Sequence, residues 1–257
     1  MNRYEILLEY NSAIRKLVNS KVGETEGIRN PSESTLRWIK RQFRFNKEED
    51  WGLLCASMDL VEDTSLAIQN FERFKLEGPT KYEDLGEKYL RLFGLLNAIY
   101  LQQRAVQCMY GVFQVPGVEV LRAKIRALRI TELRHKLASH TLNYKDIPAR
   151  KVDWFVLSRV DLGGTEVAFM SYLTDQYEKV DLQEPMHQHV QLMTVSLDKV
   201  FEKAINTVYK TVPEKRKALE ELELLRSKVA GDIIVRLPKQ GKVLRFVPAN
   251  KKKSNKQ

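Results

Sequence analysis

The sequence predicts a mainly α-helical protein, a helical bundle to which short β-hairpins are attached. Apolar residues recur at helical spacing through most of the chain, and glycine and proline fall mainly between these segments. Only two short regions, rich in Val, Phe and Leu, have the composition of paired strands. With an apolar share of 43% in 257 residues, the chain is long enough to bury a sizeable core.

Two helices are predicted at the N-terminal end, over residues 4–19 and 32–45. The second carries Arg37 and Arg41 beside its apolar side chains. Residues 1–47 are therefore interpreted either as a packed helical pair or as a small nucleic-acid-binding lobe.

The bundle itself is predicted over residues 48–212. A β-hairpin at residues 152–172 is inserted between its third and fourth helices, and the polar residues 175–184 are expected to form a linker. Pro185 then opens the fourth helix in its first turn. The four long helices are predicted over residues 48–74, 82–113, 118–139 and 186–209. The second is so apolar that it is expected at the bundle centre or at a dimer interface.

The C-terminal part, residues 213–257, is predicted to hold a charged helix, a small hairpin and a basic tail. The helix covers residues 214–229 and the hairpin residues 232–247. The tail, residues 251–257, is expected to be disordered because it is polar and rich in lysine.

A formal net charge of +10 favours a polyanionic partner such as nucleic acid over a membrane surface. The same charge is also compatible with a role in solubility alone. Cys55 and Cys108 lie in apolar helical segments without metal-ligand spacing, and we expect buried thiols in a reducing cytoplasm. No signal peptide and no transmembrane span are expected.

Several common catalytic sites lack their motif in this sequence. The phosphate-binding loop, the dinucleotide fingerprint and the nucleophile elbow are missing, so no cofactor is predicted. A metal site made of His135, His140, His187 and His189 is not favoured, because residues two apart on a helix face away from each other. His187 and His189 are expected at the surface or beside the cleft at the start of the fourth helix.

The segment that points to chemistry is residues 134–140, Arg-His-Lys-Leu-Ala-Ser-His, at the end of the predicted third helix. Arg134 is a permanent cation whose donors match a phosphate, and His140 can act as a general base near neutral pH. The two residues lie about 120° apart on a regular helix, so they converge only if the helix frays or both lean into one cleft. The simpler interpretation is a helix end whose cations complement its dipole.

This segment resembles the signature of the HEPN superfamily, in which an Arg is followed by a polar residue and, a few residues later, by a His. The resemblance covers roughly residues 48–212 and is strong only at the motif. It implies a four- to five-helix bundle that forms a homodimer with two motifs at one cleft. Many members of this superfamily cleave RNA without a metal and belong to toxin–antitoxin or phage-defence systems. Others bind RNA or nucleotide, or act as protein-interaction modules.

The resemblance also implies residue roles. Arg134 would hold the phosphate, His140 would take the proton of the 2′-hydroxyl, and His135 and Lys136 would contact the substrate. Asp63, or alternatively Asp59, would orient Arg134 from the first bundle helix. The resemblance also implies a possible antitoxin partner. In one branch of the superfamily the antitoxin modifies a tyrosine, but the spacing from His140 to Tyr144 departs from that branch. A non-catalytic RNA-binding or interaction module, and a basic helical scaffold, are the alternatives.

Overall fold

The computed structural model describes residues 4–25, 30, 32–79, 84–139, 141–146, 151–236 and 243–246. Helices dominate, as predicted: α1 Glu5–Thr25, α2 Thr35–Phe43, α3 Asp50–Phe74, α4 Leu85–Val112, α5 Val118–Ala127, α6 Arg129–Arg134, α7 Gln183–Val208 and α8 Val212–Val229. A π-helical turn, His135–Ser139, continues α6. The strands are β1 Tyr144–Asp146, β2 Lys151–Asp153, β3 Phe155–Leu157, β4 Glu166–Ser171, β5 Tyr177–Asp181, β6 Ile233–Arg236 and β7 Val243–Phe246.

Helix α7 lies at the centre of the fold. It contacts α1, α2, α4, α5, α6 and α8. Pro185 lies in its first turn, as predicted, where a missing N–H leaves no helical bond unmade. Its apolar stripe is completely buried at Met193, Leu197, Val200, Phe201, Ala204 and Ile205. One continuous core joins this stripe to α1, α3, α4 and α8, so it runs across the predicted boundaries after residues 47 and 212. Those domain boundaries stay predictions.

A three-stranded antiparallel sheet, β3–β4–β5, packs against the π-helical turn. The predicted hairpin at residues 152–172 is present as β3 and β4. The linker predicted at residues 175–184 is wrong, because β5 forms there and pairs with β4. The side chains of β5 alternate between exposed and half-buried. On an edge strand with one partly covered face, polar residues hide the apolar alternation that identifies a strand.

The single helix predicted over residues 118–139 is wrong, because it is divided at Leu128. This residue has extended backbone, with φ −67° and ψ 132°, and separates α5 from α6. An unbroken helix would bring Glu132 onto the buried stripe of α5. After the break, the buried apolar side chains are Ile130, Leu133 and Leu137. Burial of these apolar groups, each worth roughly 1.5–3 kcal/mol, favours the break over a continuous helix.

A charged network joins α1, α7 and α8. The Arg226 guanidinium donates from Nε and Nη2 to the two carboxylate oxygens of Asp198, each at 2.9 Å. The Tyr10 hydroxyl donates to the same carboxylate, also at 2.9 Å. Burial and the neighbouring Asp198 raise the pKa of Tyr10, so its hydroxyl remains a donor. Three helices are therefore held by one acceptor.

We expect Asp198→Ala to lower the free energy of unfolding by about 2 kcal/mol, because Arg226 and Tyr10 lose a shared, partly buried acceptor. Urea denaturation measures the change. Glu220→Ala is the matched control: it removes the partner of Arg216 at 3.8 Å on the exposed side of α8. The control should change stability by less than about 0.5 kcal/mol. Equal losses in the two variants would contradict the role given to Asp198.

Candidate functional site

The motif segment is anchored by two buried leucines. Leu133 ends α6 and Leu137 lies in the π-helical turn, and both are inaccessible to solvent. Between and beside them, Arg134, His135 and Lys136 are half-buried. The change from α- to π-helical geometry starts directly after Arg134. π-Helical turns occur frequently at functional sites.

Arg134 lies on an aromatic ring. Its guanidinium carbon is 3.9 Å from the centre of the Tyr100 ring, in cation–π contact. Among the described residues, no carboxylate is within ion-pair distance of Arg134. A cation–π contact uses the face of a guanidinium, which leaves its in-plane N–H donors available to other partners. Arg134 is thereby held in place while it keeps the donors that a phosphate needs.

The same tyrosine lines an open cleft between α4, α5 and α6. The cleft has a volume of about 190 Å³ and is lined by Tyr100, Gln103, Arg104, Gln107, Arg122, Ile125, Arg126, Thr131 and His135. Three arginines and a histidine thus meet without a carboxylate among the lining residues. Arg122 pairs with Glu119 at 2.5 Å outside the lining. In the described part of the chain, neither Arg104 nor Arg126 forms an ion pair. The cleft is therefore suited to an anion.

Lys136 is directed away from this cleft, although it was predicted to contact substrate. Its Nζ lies 2.7 Å from Glu132 Oε1. The ammonium group also lies over the rings of Phe155 and Phe169, 5.0 and 5.7 Å from their centres. Its side chain is only 15% exposed. In this structure Lys136 holds the motif helix against the sheet.

Glu132 is the centre of that attachment. It accepts from Lys136 and from Arg129, and Arg129 also contacts Glu178 on β5. Burial by itself would raise the pKa of Glu132, but the hydrogen bonds from Arg129 and Lys136 outweigh it and hold this pKa below its ordinary value. Glu132 therefore stays charged at neutral pH and holds Arg129 and Lys136, which contact the sheet.

The remaining predicted site residues have different outcomes. His140 lies outside the described residues. Asp59 is engaged by Arg15 at 2.9 Å, and Asp63 is exposed on α3. Among the described residues, no ion pair joins either aspartate to Arg134. The orienting role of Asp63 stays a prediction.

Sequence reasoning missed a buried polar network beneath the cleft. His189 was expected at the surface or beside the cleft, but it is completely buried. Its ring Nε2 is 2.9 Å from Gln102 Oε1, and its Nδ1 is 3.5 Å from Gln103 Nε2. An amide oxygen only accepts, so Nε2 carries the proton and Nδ1 accepts from Gln103. The available signal was position: His189 falls on the apolar stripe of α7 between Met186 and Met193.

The network continues from both glutamines. Gln103 Nε2 donates to Thr131 Oγ1 at 2.9 Å. Gln102 Nε2 is 3.2 Å from Thr64 Oγ1 and 3.0 Å from Ser65 Oγ. Helices α3, α4, α6 and α7 are thereby linked. Because Gln103 and Thr131 also line the cleft, the network holds its floor in place.

Three further findings concern metal binding, membrane spanning and similarity to known proteins. Among the described residues, no three His, Cys, Asp or Glu side chains are grouped as metal ligands. Within the same ranges, no helix combines the length and apolar character needed to cross a membrane. Comparison of the chain with protein-family models, curated proteins and solved structures finds no match.

We expect stability to fall in acid because of His189. Burial lowers the pKa of His189 from 6.5 to about 3, so between these values the unfolded chain binds a proton that the folded chain does not. This contribution to stability is complete above the unfolded pKa. It is lost by up to about 1.4 kcal/mol per pH unit as the pH falls towards the folded pKa.

The measurement is the free energy of unfolding between neutral pH and mild acid for wild type and His189→Gln. The variant cannot take up this proton, so the stability difference between the two proteins should shrink as the pH falls. His187→Gln removes a half-buried histidine from the same helix and should show a smaller change. Parallel pH profiles for wild type and His189→Gln would refute the prediction.

Proposed function

We propose that the protein is an RNA-binding endoribonuclease of the HEPN type, acting in the cytoplasm without a metal. The observation that carries the proposal is the cleft between α4, α5 and α6. It brings Arg104, Arg122, Arg126 and His135 together without a lining carboxylate, and it shares Tyr100 with the motif arginine. Two free cysteines, Cys55 and Cys108, agree with a reducing compartment.

Electrostatics favours a phosphate in this cleft. Arg104 and Arg126 form no ion pair among the described residues, so their like charges repel one another, and a bound anion relieves this repulsion. Guanidinium groups match phosphate oxygens with paired donors. The Gln103 and Gln107 amides add neutral groups that suit ribose hydroxyls or base edges. RNA provides phosphates and these polar groups together.

The proposed reaction is transesterification. His140 removes the proton of a 2′-hydroxyl, and the oxygen attacks the adjacent phosphorus. Arg134 stabilises the negative charge that develops on the phosphate oxygens. The bond to the 5′-oxygen breaks, and this oxygen takes up a proton. The products are a 2′,3′-cyclic phosphate end and a 5′-hydroxyl end, with no change of oxidation state.

A homodimer is part of this proposal, because the resemblance implies two motifs at one cleft. Helices α3 and α4 carry exposed apolar side chains that a second copy would cover, namely Leu66, Leu90 and Phe93. A toxin or phage-defence role, with a possible antitoxin protein as partner, belongs to the same proposal.

Binding without cleavage is the second candidate function. The cleft cations belong to α4, α5 and the motif turn, and none of them is His140. A chain that lacked catalysis would therefore keep this anion site. Measuring cleavage and binding separately distinguishes the two functions.

The cleavage experiment uses labelled single-stranded RNA in excess EDTA. Wild type should cleave it and leave cyclic phosphate ends. Arg134→Ala and His140→Ala should each lower the rate by about 10²–10⁴-fold, the usual contribution of a general base or a charge-stabilising donor. Arg159→Ala, at an exposed arginine after β3, is the matched control and should cleave like wild type. Full cleavage by His140→Ala would refute the catalytic proposal.

The binding experiment uses 2′-O-methyl RNA, which has no free 2′-hydroxyl to attack the phosphate. Arg104→Ala/Arg126→Ala should weaken binding about tenfold or more. The slope of log affinity against log salt should become shallower by about 1.4, since each single-strand phosphate contact contributes about 0.7. Arg216→Ala/Lys217→Ala removes the same charge from exposed positions on α8. Fluorescence anisotropy measures both, and equal effects of the two pairs would show that only net charge matters.

A further inference from the structure

A second basic cleft lies where α1, α2, α7 and α8 meet. Its volume is about 340 Å³, larger than that of the first cleft. Its lining residues come from the end of α1, the end of α2 and the turn between α7 and α8. They include the four cations Lys21, Arg41, Arg44 and Lys210.

The carboxylates near this cleft are already engaged. Glu33 pairs with Arg41 at 2.7 Å. Glu214 accepts from the backbone N–H groups of Lys210 and Thr211, at 3.1 and 3.0 Å, and so caps α8. These backbone hydrogen bonds hold the pKa of Glu214 below its ordinary value.

Two of the cations have no such partner. Within the described ranges, neither Arg44 nor Lys210 forms an ion pair with a carboxylate. Both side chains are exposed. Four cations against two carboxylates leave the cleft with a positive balance, and the two unpaired cations are the groups available to a ligand.

Arg44 is held firmly at the edge of the cleft. Its neighbours Phe43 and Phe45 are buried and stacked, with ring centres 5.3 Å apart. Its backbone is left-handed, with φ 54°, and its carbonyl accepts from Gln114 Nε2 at 3.0 Å. An exposed arginine between two anchored aromatic residues has its backbone fixed before any ligand arrives. This lowers the entropy lost on binding.

We propose that this second cleft binds the phosphodiester backbone of RNA and anchors a strand away from the α4–α6 cleft. Arg44 and Lys210 come from separate elements of the lining, and such a basic groove suits the successive phosphates of a strand. Gln42 and Thr207 add neutral polar groups to the lining. The choice of RNA as the ligand rests on the function proposed above.

The two clefts are connected through α4. This helix carries Arg104 and Gln107 on the first cleft and ends at Val112, and Gln114 then contacts Arg44. A dinucleotide contains a single phosphodiester and can place it in only one of the two clefts, whereas a longer strand carries phosphates for both.

The test measures binding of 2′-O-methyl RNA, as a long single strand and as a dinucleotide, by anisotropy and by competition. Arg44→Ala/Lys210→Ala should weaken binding of the long strand about tenfold and make the salt slope shallower by about 1.4. In this variant, the dinucleotide should compete for the first cleft as strongly as it does in wild type. Arg216→Ala/Lys217→Ala again removes two charges, from positions on α8 outside the lining, and should have less effect.

The outcomes separate the two proposals. If Arg104→Ala/Arg126→Ala weakens binding and Arg44→Ala/Lys210→Ala equals its control, the second cleft is refuted and the first stands. If only Arg44→Ala/Lys210→Ala weakens binding, the first proposal fails and the second cleft is the RNA site. If inorganic pyrophosphate binds the second cleft, but Arg44→Ala/Lys210→Ala leaves binding of the long strand unchanged, the ligand is a free phosphate compound. The proposed RNA anchor is then refuted.

Discussion

The completely buried His189 imposes the constraint on which the arrangement of the helices around the cleft depends. A buried polar group that loses its partner costs about 1–3 kcal/mol, so Gln102 and Gln103 must remain within reach of the imidazole. Their amides in turn engage Thr64, Ser65 and Thr131 on two other helices. Four helices are thus held at one relative position, because each hydrogen bond tolerates only small changes in distance and angle.

The motif helix separates its cations by function. On the side of the sheet, Arg129 and Lys136 are paired with Glu132 and Glu178, and they hold the helix in place. On the other side, Arg134 stacks on Tyr100, which lines a cleft that has no acidic lining residue. Paired cations stabilise a structure, whereas unpaired cations raise its electrostatic energy until an anion binds. The same short segment therefore carries both paired cations that attach it to the sheet and an arginine without an ion-pair partner among the described residues.

Part of the net charge of +10 lies in two clefts that are lined by arginines and lysines. In each, cations come from separate helices, while nearby carboxylates are engaged by backbone amides or by single ion pairs. Charge spread evenly over the surface would give only weak, salt-sensitive attraction. Cations gathered in concave sites, with a low-dielectric wall behind them, focus the electrostatic potential within the site.

Most of the helices could be predicted from local sequence patterns alone. Helix positions were predicted closely because apolar periodicity, Pro185 and the glycine-containing turns act through neighbouring residues. Arg134 and His140 were singled out by the spacing of the motif, and their roles stay predictions. The tertiary structure decided what depends on distant partners: the break at Leu128, strand β5 and the burial of His189. His189 and Gln103 are 86 positions apart, and Arg104 meets Arg126 only because two helices pack together. No local pattern contains such contacts, since they arise from the burial of apolar surface by the whole chain.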